Sequence, residues 1–318
     1  MEKIKLVYIT GYGKSGGTLI GRLLGDTKNA FFVGELRYFW RYGILKNYDC
    51  TCGQKFDSCS FWKKVTDEYL QSFPSINIKE IGKELGEFEK LKNYFRLKKF
   101  IKNKKDKDFQ KKLSKYLDHN EKLYEAISKL SGKKILVDYS NIPGRLLALS
   151  LSDKFEIYPI HLVRDPRGVL NSYIQADMRY YGKNKHSNLR QVLVWNINTI
   201  FSRIIIKNLS SGKMPFILYK NFVKSPRSVL NNLEKLFDDK FNYEEKNGKA
   251  SVYLEPGHVF SGNRSRFESS SVTLVEDTKW KKQLSLPNKI LANIISFPLY
   301  QYILNWSRNK EYEMDSVK

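Results

Sequence analysis

The chain has 318 residues, 41% of them hydrophobic and 14% aromatic, enough apolar material for one sizeable core with a helical insert. No run approaches the roughly 18 uninterrupted apolar residues of a membrane-spanning helix, and the first residues enter a strand pattern rather than a signal peptide, so the expected compartment is the cytoplasm. Lys plus Arg outnumber Asp plus Glu by 56 to 33, a net charge of +23, which disfavours cationic partners and suits nucleotides, acidic glycans, nucleic acid or a lipid surface. A solvated lysine-rich surface gives the same excess, so charge alone decides nothing.

Lys5–Thr10 (KLVYIT) is a short β-branched and aromatic strand pattern that runs into Gly11 and Gly13. From Thr18 to Leu24 apolar residues return at helical spacing, and AFFVGE (30–35) is a second compact apolar run, expected to be buried on both faces. Cys50, Cys52 and Cys59 follow within ten residues. A metal site would need a fourth ligand, and no histidine lies nearby in sequence; a local disulfide would leave one thiol over. Structural thiols are the favoured reading, with no metal expected.

A lysine-rich region from about Glu80 to Leu130 reads as amphipathic helix, broken near 104–107. Alternation then returns: strands at 133–140 (KKILVDYS), 155–163 (FEIYPIHLV) and 215–222 (PFILYKNF), separated by helical patterns that include a long one around 188–208. Ser225 as N-cap and Pro226 in the first turn open another helix. Strands separated by helices predict an α/β fold, a parallel β-sheet flanked by helices. A single domain over 1–318 is expected, with a helical insertion at about 60–130.

The segment GYGKSGGT (11–18) has the form of a phosphate-cradling loop. It fails the G-x-x-x-x-G-K-[ST] pattern in both registers: Tyr8 stands where the first glycine should be, or Gly17 where the lysine should be. What survives is the physics. Gly13, Gly16 and Gly17 allow backbone N–H groups close to an anion, Ser15 and Thr18 offer hydroxyls, and a helix N-terminus points at the same place. Lys14 sits in the loop itself. A second candidate is HLVRDPRGVLNS (161–172), where Arg164 ends a strand and Ser172 follows on the next helix, a spacing that suits a second phosphate.

With these two segments the chain resembles the sulfotransferases that use 3′-phosphoadenosine 5′-phosphosulfate (PAPS). GYGKSGGTL, through Leu19, matches their 5′-phosphosulfate loop, and Arg164–Arg167 with Ser172 match their 3′-phosphate motif. LYKNF resembles the segment whose tyrosine lies near the adenine, making Tyr219 the candidate. HVFSGNRSRF (258–267) resembles a loop, here about 255–285, that closes over the cofactor, with Asn263 and Arg264 as candidates and Arg264 preferred to Arg266. The resemblance implies a P-loop-NTPase-like sulfotransferase fold.

In the branch with a glutamate base, which includes Golgi-type, tyrosylprotein and many bacterial members, the base follows the second strand; Glu35 stands there, and the alternative is an ion pair with Arg37 or Arg41. In a histidine-base branch the candidates are His119, His161, His186 and His258, with His161 read as a core residue. VDYSNIPGR (137–145) resembles a segment bordering the sulfuryl group: Ser140 matches, and Asn141 replaces the common lysine, leaving Lys14 or Arg145 to carry that charge. The cysteine string with Phe61 and Trp62 resembles an acceptor-side segment of some bacterial sulfotransferases. The resemblance implies PAPS as co-substrate and no metal; the basic surface and the tyrosines allow a glycan, lipid, peptide or small-molecule acceptor and contact with a membrane, with no specific nucleic acid expected. Two rivals are a P-loop kinase or NTPase, for which Asp138 would serve the metal, and a non-enzymatic binder of anionic polymers using Lys98, Lys99, Lys102, Lys104, Lys105 and Lys107.

Overall fold

The structure is a computed structural model that describes residues 2–103, 105–183, 186–209, 216–246, 249–268 and 271–315. The first half of the sheet comes from β1 (Ile4–Gly11), helix α1 (Gly17–Gly25) and β2 (Ala30–Gly34). Four helices follow: α2 (Ser60–Ser72), α3 (Ile78–Phe88), α4 (Leu91–Asn103) and α5 (Lys107–Ser131). The chain then runs through β3 (Ile135–Asp138), α6 (Pro143–Leu149), β4 (Phe155–Val163), α7 (Pro166–Tyr181), α8 (Asn188–Leu209) and β5 (Phe216–Leu218). These five strands are parallel, in the order β2-β3-β1-β4-β5.

Strand alternation explains why both faces are covered. In β1, Leu6 and Tyr8 point into the core shared with α5, α6 and the 39–69 segment, while Val7 and Ile9 point into the core shared with α1. The chain passes from β3 over to the far side of β1 to form β4, which creates a switch point at the carboxyl ends of β1 and β4.

The predicted strand at 215–222 is shorter than expected. It ends at Leu218, and Tyr219 begins a helix, α9 (Tyr219–Lys224), because Tyr219, Phe222 and Val223 fall at i, i+3 and i+4 and turn one face inward. Ser225 does stand at the N-cap of α10 (Pro226–Phe237), but its hydroxyl makes no capping bond. The break in the lysine-rich region lies between α4 and α5, where Asp106 caps α5 by accepting the Phe109 N–H and also holds Arg96; Lys104 is outside the described residues.

One feature the sequence reading did not anticipate is a small antiparallel sheet of β6 (Tyr243–Lys246), β7 (Lys249–Tyr253) and β8 (Ser271–Thr273). Its charged, weakly alternating strands gave little hydrophobic signal. Helices α11 (Trp280–Gln283), α12 (Leu286–Ile295) and α13 (Phe297–Asp315) end the chain. No helix among the described residues is long and apolar enough to cross a membrane.

Candidate functional site

The candidate residues stand just past the carboxyl ends of the parallel strands. Residues 12–16 follow β1, Glu35 follows β2, Tyr139 and Ser140 follow β3, Arg164 follows β4 and Tyr219 follows β5. Parallel α/β sheets bind ligands at this edge because loops, helix N-termini and strand ends converge there.

The loop between β1 and α1 is shaped by backbone conformation. Gly16, the N-cap of α1, has φ +96°, and Lys14 has φ +65°, a left-handed conformation that a non-glycine residue adopts at a cost. This turn presents the Lys14 carbonyl to Arg164, whose Nη1–H donates to it at 2.6 Å. The Ser15 hydroxyl is 1% exposed and has no hydrogen-bond partner among the described residues. A buried, unsatisfied donor beside the first amides of a helix suits an anionic oxygen. Thr18 is also buried, and its Oγ1 accepts the Asn263 N–H at 3.3 Å. Leu19 packs against the core on the α1 side of the sheet.

Three tyrosines fill the space that side chains at the loop glycines would take. A Cβ at Gly13 would meet the Tyr173 hydroxyl at 2.4 Å; at Gly16, the Tyr219 ring at 2.4 Å; at Gly17, the Tyr139 ring at 2.2 Å. The glycines therefore admit aromatic rings as well as any anion, a role the sequence reading did not give them. The Tyr139 phenol oxygen lies beside the Ser15 and Gly17 amides, which favour its ionised form against the rise caused by burial, and its O–H faces the Tyr12 carbonyl at 3.4 Å.

Arg164 is 9% exposed and has three partners: the Lys14 carbonyl, the Asp277 carboxylate at 2.6 Å, and the Tyr219 ring, whose centroid lies 5.1 Å from the guanidinium carbon. Tyr219 is thus shared between the glycine loop and Arg164. The Ser172 hydroxyl donates to the Gly168 carbonyl at 2.9 Å, and Gly168 in turn lies under the Arg164 guanidinium and the Trp280 ring. Arg167 is taken up by Asp165 at 2.6 Å and stacks on Trp280 and Phe297.

Glu35 is half-buried at the start of a short 3-10 turn, Leu36–Tyr38. Burial pushes its carboxyl up to about 7, against the pull of Arg37, Lys14 and Arg266 in the other direction, with Asp138 adding to the rise. Burial also lowers the Lys14 ammonium, which Glu35 partly restores. Ser261 grips both backbone groups of Glu35: its hydroxyl accepts the Glu35 N–H at 3.2 Å and donates to the Glu35 carbonyl at 3.0 Å. At the next residue, Gly262 (φ +120°), a Cβ would meet Thr18 Oγ1 at 3.3 Å and Glu35 Oε1 at 3.8 Å. The closing segment therefore passes between α1 and Glu35.

Within that segment the two arginines diverge. Arg264 is exposed and, with Arg179, Asn263 and Phe267, lines a cavity of about 430 Å³. Arg266 is half-buried, donates to the Gly262 carbonyl at 3.1 Å and acts on Glu35. The segment is tied down by Arg22 of α1, whose guanidinium donates to the carbonyls of Leu254, Glu255 and Ser265.

Some candidates lie elsewhere. Arg145 does not face the loop: it is fully buried, paired with Glu89 at 2.9 Å and Asp138 at 3.7 Å, and bonded to the Tyr116 and Tyr124 hydroxyls. Ser140 is buried and occupied, donating to Asp138 at 2.6 Å and accepting the Arg37 N–H at 3.2 Å. Asn141 has φ +51°, a left-handed conformation that Asn adopts more readily than most residues. Asp138, held by Arg145, Tyr124 and Ser140, has no open face to serve a nucleotide's metal, which disfavours the kinase reading. His161 is a buried core residue against Phe216, its imidazole pulled down to about 3 by burial. His119 bonds to Tyr69, His186 pairs with Asp177, and His258 stands among the cysteines.

Sequence reasoning missed Tyr139, Tyr173 and Ser261. Tyr139 adjoins a motif residue and was open to notice; the other two reach the site only through the fold.

No family model matches the chain, and no curated protein matches it. Among solved structures it is similar to the sulfotransferase domain of the Synechococcus PCC 7002 olefin synthase, at 17% identity over 92% of this chain and 94% of that one, with a TM-score of 0.46. It is also similar to the sulfotransferase domain from the curacin biosynthetic pathway, at 16% identity over 93% of this chain and 98% of that one, with a TM-score of 0.37.

Proposed function

We propose that the chain is a sulfotransferase that moves a sulfuryl group from PAPS to a hydroxyl or amine on a glycan, lipid or small molecule. The observation that carries this reading is the bond from Arg164 to the Lys14 carbonyl, which joins the 5′ and 3′ motifs on one patch of the sheet edge. Two anion-binding elements meeting at one strand switch point suit a nucleotide with phosphate at both ends.

The residues present fit such a ligand. Lys14, the amides of α1, and the hydroxyls of Ser15 and Thr18 would hold the 5′ end, with Gly13, Gly16 and Gly17 shaping the turn. Arg164, Ser172 and Arg264 would hold the 3′-phosphate, Asn263 would close over it, and Tyr219 would flank the base. The donor, when bound, supplies an activated sulfuryl group; the protein's part is positioning and charge. Glu35 is the proton acceptor: with its carboxyl near 7, it is available as a base at neutral pH and matched to a proton-transfer task. Ser140 acts indirectly, holding the Arg37 backbone and thus the turn that follows Glu35.

Titration calorimetry with adenosine 3′,5′-bisphosphate against ATP tests the reading, followed by an acceptor screen with labelled PAPS. Preferential binding of ATP would end it.

A further inference from the structure

Cys50, Cys52, Cys59 and His258 come together at the far end of the closing segment, with their ligand atoms all within 4.8 Å of one another. The sequence reading set a metal aside for want of a fourth ligand; the fold brings one from 199 residues away. His258 Nδ1 lies 3.2 Å from Cys59 Sγ and 4.0 Å from Cys50 Sγ. We propose that these four residues form a structural zinc site that clasps the closing segment to the cysteine loop.

The donor set selects the metal. Three thiolates and one imidazole favour Zn²⁺, and four protein ligands leave no open position, the mark of a structural rather than a catalytic ion. Zn–S bonds of about 2.3 Å and Zn–N bonds of about 2.0 Å in a tetrahedron require donor separations of about 3.6–3.8 Å. The observed spacings bracket that range, so side-chain shifts of about 0.5 Å would complete the geometry. Binding would release the protons of the three thiols to solvent, leave three thiolates and a neutral imidazole on the ion, and put the remaining imidazole proton on Nε2.

The surroundings are built for such a site. Gly53 (φ +87°) makes the turn of the C-x-C-G segment, and its N–H donates to the Cys50 carbonyl at 3.0 Å. Cys59 is the N-cap of α2, which places its sulfur at the N-terminal end of that helix. Phe61 stacks on the His258 ring at 5.2 Å, and Trp62 Nε1 donates to the His258 carbonyl at 2.9 Å, so one contact orients the imidazole and the other holds its backbone. Thr51 bonds to Gly257 and Val259, on either side of the histidine. Three residues on, Ser261 grips Glu35, so the clasp anchors the segment that holds the site.

The inference stands apart from the sulfuryl-transfer reading, because metal content is measured without turnover. The full chain, purified under reducing conditions without chelator, is expected to carry about one zinc per chain by elemental analysis. Exchange with Co²⁺ alone should give the intense visible bands of a tetrahedral thiolate site. Cys52→Ser, at an exposed position compatible with a folded chain, and His258→Asn should each lower zinc content at least tenfold. Stripping the metal should speed hydrogen exchange in residues 257–268. Wild-type protein that holds no zinc and takes up no Co²⁺ after reduction would overturn the proposal. So would full zinc content in Cys52→Ser or His258→Asn, or a Cys50–Cys59 disulfide as the native state.

Discussion

The guanidinium of Arg164 lies 2.6 Å from the carbonyl of Lys14, so the residue that closes one anion motif also shapes the backbone of the other. The Lys14 backbone is left-handed, and a partly buried charge-assisted bond to its carbonyl is what that strain is set against. Removing the arginine should therefore act twice. Arg164→Ala is expected to weaken adenosine 3′,5′-bisphosphate binding by roughly 2–3 kcal/mol in calorimetry, and to loosen the 12–16 loop in hydrogen exchange. Unchanged affinity would separate Arg164 from the ligand.

Glu35 should show opposite effects on turnover and stability. Its folded carboxyl is raised to about 7 from an unfolded value of 4.5, so the folded state binds the proton more tightly. That contribution is fully present below about pH 4.5 and is lost as pH rises through 7. Glu35→Gln should therefore stabilise the protein relative to wild type at pH 8, by on the order of 2 kcal/mol in urea unfolding, and give little gain at pH 4 to 5. The same variant should keep nucleotide binding nearly intact while turnover collapses. Wild-type kcat should rise with pH through about 7. A fully active Glu35→Gln enzyme would place the base elsewhere.

The Tyr139 phenol oxygen lies beside the loop amides of Ser15 and Gly17, the donors a ligand oxygen would need. Tyr139→Phe removes that competing oxygen and keeps the ring that packs on Gly17. Affinity for adenosine 3′,5′-bisphosphate is expected to rise a few-fold, by about 0.5–1.5 kcal/mol. Weaker binding would show that the hydroxyl supports the ligand instead.

Arg145, Glu89, Tyr116, Tyr124 and Asp138 form a buried polar knot between α5, the α3–α4 junction and the end of β3. Glu89→Ala leaves the Arg145 cation with less compensation in the interior and should cost about 3–5 kcal/mol in urea unfolding. A loss below 1 kcal/mol would mean water reaches the knot.

What the sequence disclosed and what it hid divide by range. The β1–loop–α1 unit, the placement of Arg164 at a strand end and of Glu35 after β2 were legible because each depends on a few neighbouring residues and on hydrophobic period. Arg145 was misplaced because its partner Glu89 sits 56 residues away, between α3 and α4. His258 escaped for the same reason on a larger scale. The tyrosines over the glycines were invisible because glycine in a loop reports only that something comes close, not what. Tyr219 was assigned to a strand because its local run is apolar under either period, and only the one-sided packing of Phe222 and Val223 settles it as helix.

Because Ser261 is bonded to both the amide and the carbonyl of Glu35, the backbone that carries this carboxylate and the segment around Ser261 form a single mechanical part. In the proposed reaction, lifting that strap to admit a substrate would unseat the base and laying it back would re-aim it, so entry and readiness would share one hinge.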